Sequence, residues 1–136
     1  MFTIEDIIEI PVTVYTLLKV PGYVKYSKID INACSEEEIT SVIKQLAGKT
    51  DPVILFLHSF SFIKWSRGSK IPVVDQMILD KFEAVLKMIS SAGNIKVRTV
   101  ENYYKEVLSQ GILQQNHDHV PDVSLKALFK RIMDRQ

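Results

Sequence analysis

The sequence predicts a single α/β domain over residues 1–136, built as a partial (β/α) barrel-like parallel sheet with helices packed on it. Short segments rich in β-branched residues alternate with amphipathic helical segments in the order β-α-β-α-β-α-α, which is typical of parallel α/β folds. The central run, residues 52–57, is uninterruptedly apolar from Val53 onward, as expected of a strand buried on both faces of a parallel sheet. A chain of 136 residues is long enough to bury one real core.

The first strand is predicted over residues 7–15, followed by a loop whose turn is marked by Pro21 and Gly22. Ser35 and Glu38 have the spacing of a capping box and open the first helix. The central strand over residues 52–57 comes next.

Four further elements complete the order. Asp75 caps a second helix that Gly93 ends, and residues 95–98 form a short third strand. Thr99 caps a third helix that runs to about residue 110, and the C-terminal helix is predicted over 122–134. Because three strands are few for a sheet of this kind and leave two open edges, we expect the sheet to pair with a missing N-terminal half or with a second copy of the chain.

Composition and charge exclude some classes of function. The chain is 46% apolar and 24% charged with a net charge of +1, which gives no case for nucleic acid as a partner. No apolar run approaches the roughly 20 residues that span a bilayer, so no membrane span is predicted. A single cysteine, Cys34, excludes an internal disulfide and favours a reducing compartment, so a cytoplasmic location is predicted.

His58 is the sharpest candidate for chemistry. It lies just beyond the carboxyl end of the central strand, where parallel sheets bind ligands, and its imidazole can act as general acid or base near neutral pH. The alternative is a histidine that is hydrogen-bonded within a loop corner. The long connection over residues 59–72 combines aromatics, hydroxyls and cations, which suit a sugar or anion cleft and equally suit a loop folded over the barrel mouth.

Two other groups of residues are candidate sites in the sequence. His117 and His119 flank Asp118 and could share a metal ion, but the sequence fixes no third ligand nearby, so no metal site is predicted there. Cys34 precedes a helix start, but no histidine is near it in sequence, so it is interpreted as a passive thiol.

Four runs of residues carry a family resemblance. They are Glu-Ile-Pro-Val-Thr at 9–13, Ile-Leu-Phe-Leu-His-Ser-Phe-Ser-Phe at 54–62, Asp-Lys-Phe-Glu at 80–83 and Val-Arg-Thr-Val-Glu at 97–101. Over residues 5–107 the chain resembles the C-terminal half of polysaccharide deacetylase-like (NodB-homology) proteins. The resemblance implies a distorted (β/α) barrel and a metal-dependent hydrolase, acting on carbon–nitrogen bonds other than peptide bonds, that removes acetyl groups from a polysaccharide.

The resemblance also implies roles for residues of the central strand and its loop. The family has a late Leu-x-His motif, which Phe56, Leu57 and His58 match with phenylalanine in place of leucine. His58 is then the general acid that protonates the leaving amine or alcohol, and Phe56 helps to wall the pocket for the acetyl methyl group. With this resemblance, three residues of the following loop are expected to contact the sugar: Ser59, Phe60 and Trp65.

The chain departs from the family in its metal-binding motifs. The family holds a divalent metal with an aspartate and two histidines, but the early Asp-Asp motif, the His-x-x-x-His pair and the arginine motif are absent here, and Ser59 replaces an aspartate. The sequence therefore predicts a truncated domain that binds no metal by itself and is inactive alone. The alternatives are a non-enzymatic carbohydrate-binding or self-associating α/β module, and a different small α/β enzyme with its ligand above the central strand.

Overall fold

The fold is mixed α/β and contains helices and short antiparallel hairpins. A computed structural model describes residues 2–4, 7–49, 52–65, 68, 70–110 and 120–133. Within those ranges the elements are β1 (Phe2–Ile4), β2 (Ile7–Glu9), β3 (Val14–Val20), β4 (Tyr23–Lys28), α1 (Glu36–Leu46), β5 (Ile63–Trp65), β6 (Pro72–Val74), α2 (Gln76–Ser91), α3 (Val100–Gln110) and α4 (Leu125–Met133).

The strands form three separate antiparallel pairs, β1 with β2, β3 with β4, and β5 with β6. The predicted parallel sheet is not formed by these named strands. Parallel pairing among the described residues is limited to two isolated bridges, Thr16 with Asp122 and Asp30 with Phe56. The second bridge places the predicted central strand beside the segment that follows β4, so a short parallel contact exists where a full ladder was expected.

The β3–β4 hairpin replaces what the sequence predicted as a loop. Pro21 and Gly22 form its two-residue connection, and Gly22 adopts a φ of 78°, a conformation that glycine reaches without a steric penalty. The predicted strand over residues 7–15 is divided by an irregular segment around Pro11, which lacks the N–H that a sheet ladder needs.

The strand predicted over residues 95–98 is wrong. These residues run as an irregular segment between α2 and α3. The long connection over residues 59–72, to which the sequence assigned no element, contains β5 and leads into β6.

All four predicted helices are present. Ser35 and Glu38 form the expected capping box at the start of α1, and Gly48 follows the helix with a φ of 79°. Asp75 caps α2 by accepting a hydrogen bond from the Ile78 N–H at 3.4 Å. The C-terminal helix α4 begins at Leu125, three residues later than predicted from residue 122.

The core lies between the start of the β3–β4 hairpin, α1 and α2. Its buried members are Tyr15, Ile29, Ile31, Cys34, Ile39, Val42, Ile43, Leu46, Ile78 and Val85. The segment that leads into α4 is tied to this core by hydrogen bonds. Gln45 and the Asp122 backbone exchange two hydrogen bonds, at 2.7 and 3.2 Å, and the Thr16 N–H donates to the Pro121 carbonyl at 2.8 Å.

Candidate functional site

The segment that carries His58 is fixed along one edge by backbone hydrogen bonds. The Phe56 N–H donates to the Ile29 carbonyl at 3.0 Å, and the Ile31 N–H donates to the Phe56 carbonyl at 3.2 Å. The Ile54 N–H donates to the Thr13 hydroxyl at 2.8 Å. His58 therefore lies two residues beyond the parallel bridge, at the carboxyl end of this segment, as the sequence predicts.

A tight turn holds the main chain of His58. The Ser61 N–H donates to the His58 carbonyl at 2.9 Å, and the His58 N–H donates to the Ser61 hydroxyl at 2.9 Å. Ser61 is buried, and its carbonyl accepts a 2.9 Å hydrogen bond from the Asn32 side chain. The corner interpretation of this histidine is thus correct for its backbone, while its side chain is exposed and available to a ligand.

Three rings lie in succession at this corner, and we call Phe56, His58 and Phe60 the aromatic strip. The imidazole of His58 stacks on the Phe60 ring, with centroids 5.0 Å apart and planes 3° from parallel. The Phe56 ring is tilted by 43° at 6.4 Å from the imidazole. Phe60 is 64% exposed, so one end of the strip presents a nearly bare ring to solvent.

Charged groups border the strip at its Phe56 end. The Lys28 ammonium lies 4.2 Å from the centroid of the Phe56 ring, a cation–π contact. The same ammonium is 3.5 Å from a carboxylate oxygen of Asp30. Asp30 is mostly buried, and its other oxygen accepts hydrogen bonds from the N–H groups of Asn32 and Ala33. An apolar ring surface thus lies beside a cation and a fixed carboxylate.

The structure brings together some of the predicted site residues and separates others. Phe56, His58 and Phe60 form the strip, and Ser59 lies exposed in the turn between two of them. Trp65 lies on β5, is 67% exposed, and stacks on no ring among the described residues.

Lys28 and Asp30 were not predicted as site residues. The Asp30 carboxylate accepts hydrogen bonds from the N–H groups two and three residues later, which forms an Asx turn. Aspartate is typical of such turns, so a turn at this position could have been predicted from the sequence. The position of Lys28 over the Phe56 ring depends on the register between two distant segments, for which the sequence offers no local signal.

The described residues do not fit the metal of the family that the sequence resembles. No three or more histidine, cysteine, aspartate or glutamate side chains in the described ranges come close enough to hold an ion. His117, Asp118 and His119 lie outside the described residues. No chemical step is therefore assigned to a metal here.

A well-formed cavity lies away from His58. It has a volume of about 580 Å³ and is bordered by the start of the central segment, the irregular stretch after α2, and α3. Its lining includes Val53, Leu55, Tyr103 and Val107, and it does not reach the aromatic strip. This cavity therefore does not coincide with the ligand position expected at His58.

Comparison of the chain with protein-family models, with curated proteins and with solved structures found no match. Family membership therefore stays a hypothesis that rests on the sequence runs given above. None of the helices in the described ranges is long and apolar enough to cross a bilayer.

Proposed function

We propose that this protein is a polysaccharide deacetylase-like domain that binds a segment of a sugar polymer on the aromatic strip, with His58 placed as the proton donor. The observation that carries the proposal is the exposed imidazole of His58, which is held at the carboxyl end of the central segment and stacked on the exposed ring of Phe60.

The strip has the chemistry that sugar recognition requires. One face of a pyranose ring presents C–H groups, which pack on the flat face of an aromatic ring, while its edge presents hydroxyls. The Phe60 ring offers such a face. Lys28 and Asp30 lie at the other end of the strip and can donate to and accept from hydroxyl or amide groups.

A general acid alone does not complete a hydrolase. In this proposal His58 protonates the leaving amine or alcohol, and such a general acid accelerates a reaction by about 10²–10⁴-fold. The described residues supply no set of ligands for a metal-activated water. We therefore expect the chain to bind sugar and to release no acetate unless another polypeptide region supplies the nucleophile.

The partial barrel is also part of this proposal. Support comes from the parallel bridge between Asp30 and Phe56 and from the second parallel bridge between Thr16 and Asp122. These bridges flank the β3–β4 hairpin and place short parallel neighbours on its two sides. In a completed barrel, longer ladders would form at the same positions.

Sugar binding tests the proposal directly. Titration of the chain with acetylated chito-oligosaccharides, followed by NMR chemical shifts, is expected to perturb the residues of the strip. Phe60→Ala should weaken binding by about tenfold, since it removes the exposed stacking surface. Phe129→Ala is the matched control, because Phe129 on α4 is 66% exposed and lies outside the strip. Equal effects of the two variants, or no binding at all, would contradict the proposal.

The enzymatic part is tested separately. Acetate release from the same oligosaccharides, with zinc or cobalt added, is expected to stay at the level of a blank without protein. Turnover that disappears in His58→Ala would show that the chain holds a complete catalytic set, and would refute the expected inactivity while leaving the sugar-binding surface in place.

Self-association is the second candidate function, and the β1–β2 pair favours it. This pair has no further strand beside it among the described residues, and open sheet edges are places where a second chain can add. Sedimentation velocity over a range of concentrations distinguishes the candidates. A concentration-dependent dimer would support self-association, and a monomer that binds oligosaccharide would support the sugar-binding role alone.

A further inference from the structure

The β5–β6 hairpin exposes an apolar face that the sugar-binding proposal does not use. In its antiparallel register Ile63 pairs with Val74 and Trp65 pairs with Pro72. Directly paired side chains lie on the same side of a two-stranded sheet, so these four residues share one side, which we call the hairpin face. All four are exposed, including Trp65 at 67% and Val74 at 61%.

The sequence segment that contains the hairpin carries formal charges of one sign up to Val74. From residue 52 to residue 74 the sequence contains no aspartate or glutamate, and its charged residues are Lys64, Arg67 and Lys70. The whole chain carries a net charge of only +1, so positive charge is concentrated here. The Lys64 ammonium lies 3.9 Å from the carboxylate of Asp75, which follows the hairpin, and the Lys64 side chain is about half exposed. Lys70 precedes β6 and is exposed.

Features of the two strands oppose pairing with another strand. Lys64 occupies the centre of β5, and Pro72 begins β6 without an N–H to donate. Lysine and proline on edge strands are devices by which proteins prevent edge-to-edge association. A second copy of the chain, added strand to strand, is therefore a poor match for this hairpin.

An anionic lipid surface matches both observations. Tryptophan and aliphatic side chains partition into the boundary between headgroups and acyl chains, and lysine and arginine nearby interact with anionic headgroups. We propose that the β5–β6 hairpin is a peripheral membrane-binding element, which inserts the hairpin face into the surface of an anionic bilayer. This inference does not depend on the proposed sugar-binding function.

Trp65 gives the experiment a built-in reporter, because it is the only tryptophan in the chain. The full chain is mixed with vesicles of phosphatidylcholine and phosphatidylglycerol, and with vesicles of phosphatidylcholine alone. We expect a blue shift of the Trp65 emission with the mixed vesicles and little change with the neutral ones. Raising the salt concentration should reverse the shift, since salt screens the attraction between lysines and headgroups.

Two substitutions separate the apolar and the charged contributions. Val74→Ser should weaken vesicle binding by about tenfold, because it removes an apolar side chain from the inserted face. Lys70→Gln should weaken it by about fivefold, the effect of one lysine near an anionic surface. The matched controls are Val100→Ser at the start of α3 and Lys126→Gln on α4, because both residues are exposed and lie outside the hairpin. Each control variant should bind vesicles as tightly as the wild type.

Three outcomes of the vesicle experiments would overturn the inference. They are the absence of a blue shift with the mixed vesicles, an equal shift with neutral vesicles, and controls that weaken binding as much as the hairpin variants do. A blue shift that develops with protein concentration in the absence of lipid would also overturn it, because it would assign the hairpin face to a second copy of the chain. Circular dichroism confirms that each variant keeps its helices before binding is compared.

Discussion

Glu38 is the charged residue most deeply embedded in the described structure. Its side chain has no solvent exposure, and it accepts a hydrogen bond from the Ser35 N–H at 2.7 Å and from the Tyr15 hydroxyl at 3.2 Å. The Arg131 guanidinium lies 3.4 Å away and donates to the same carboxylate. Burial, followed by the hydrogen bond with Cys34, raises the pKa of Tyr15, which keeps its hydroxyl protonated as a donor.

We predict that Glu38→Ala lowers the free energy of unfolding by about 3–5 kcal/mol, because it leaves the Arg131 guanidinium mostly buried without its carboxylate. Glu36→Ala is the control, since Glu36 lies exposed in the same first turn of α1 and should cost less than about 0.5 kcal/mol. Urea unfolding measures both. If both variants lost similar amounts of unfolding free energy, the buried ion pair would contribute no more to stability than an exposed glutamate.

The sequence predicts the role of a residue when its partners are close to it along the chain, and not when they are far away in sequence. The capping-box spacing of Ser35 and Glu38 is local, so the helix start could be predicted and is confirmed. The contact with Arg131 joins residues 93 positions apart, and no local pattern announces it. The same applies to Lys28 over the Phe56 ring, whereas the place of His58 after an apolar run was visible in the sequence.

At the scale of elements, helices were predictable and strands were not. Each helix has an apolar stripe and a capping residue within its own sequence, so its existence does not depend on distant partners. The strand prediction at 95–98 failed because β-branched residues form a strand only when a neighbour supplies hydrogen bonds. The β3–β4 hairpin was missed although Pro21 and Gly22 separate two β-prone runs by two residues, a known hairpin spacing.

The docking of α4 on α1 should depend on pH through Glu37. Partial burial acts to raise the pKa of this carboxyl, but the hydrogen bond from Lys130 and the nearby positive charges outweigh it, so the pKa lies below its ordinary value of 4.5. A lowered pKa means that the pair stabilises the fold above pH 4.5 and loses this contribution as the pH falls through the lowered value. Because the carboxylate is 45% exposed, the effect is below about 1 kcal/mol.

We therefore expect Glu37→Gln to reduce the loss of stability that acid causes in the wild type. Urea unfolding at a series of pH values measures this, and NMR shifts of the α4 amides show whether the helix itself responds. Lys130→Gln should have a similar effect, since it removes the other partner. An acid dependence that is unchanged in both variants would contradict the assignment.

At the scale of the whole molecule, burial is distributed unevenly. Helix α1 contributes five buried residues, Glu38, Ile39, Val42, Ile43 and Leu46. Helix α3 contributes only Val107 among its side chains described, and it lies along the cavity of about 580 Å³. A helix that borders such a cavity buries less apolar surface on that side. The free energy of local opening should therefore differ between the two helices.

Amide hydrogen exchange of the wild-type chain tests this directly. We predict that α1 amides are protected at least about 100-fold more than α3 amides after correction for intrinsic rates, a difference of about 2.7 kcal/mol in opening free energy. Ile39→Ala should speed exchange in α1 and in the other core elements together, because its side chain is fully buried in the shared core. Val107→Ala should speed exchange in α3 alone. Equal protection of α1 and α3 would mean that α3 unfolds only with the core, and that its sparse burial does not set its stability.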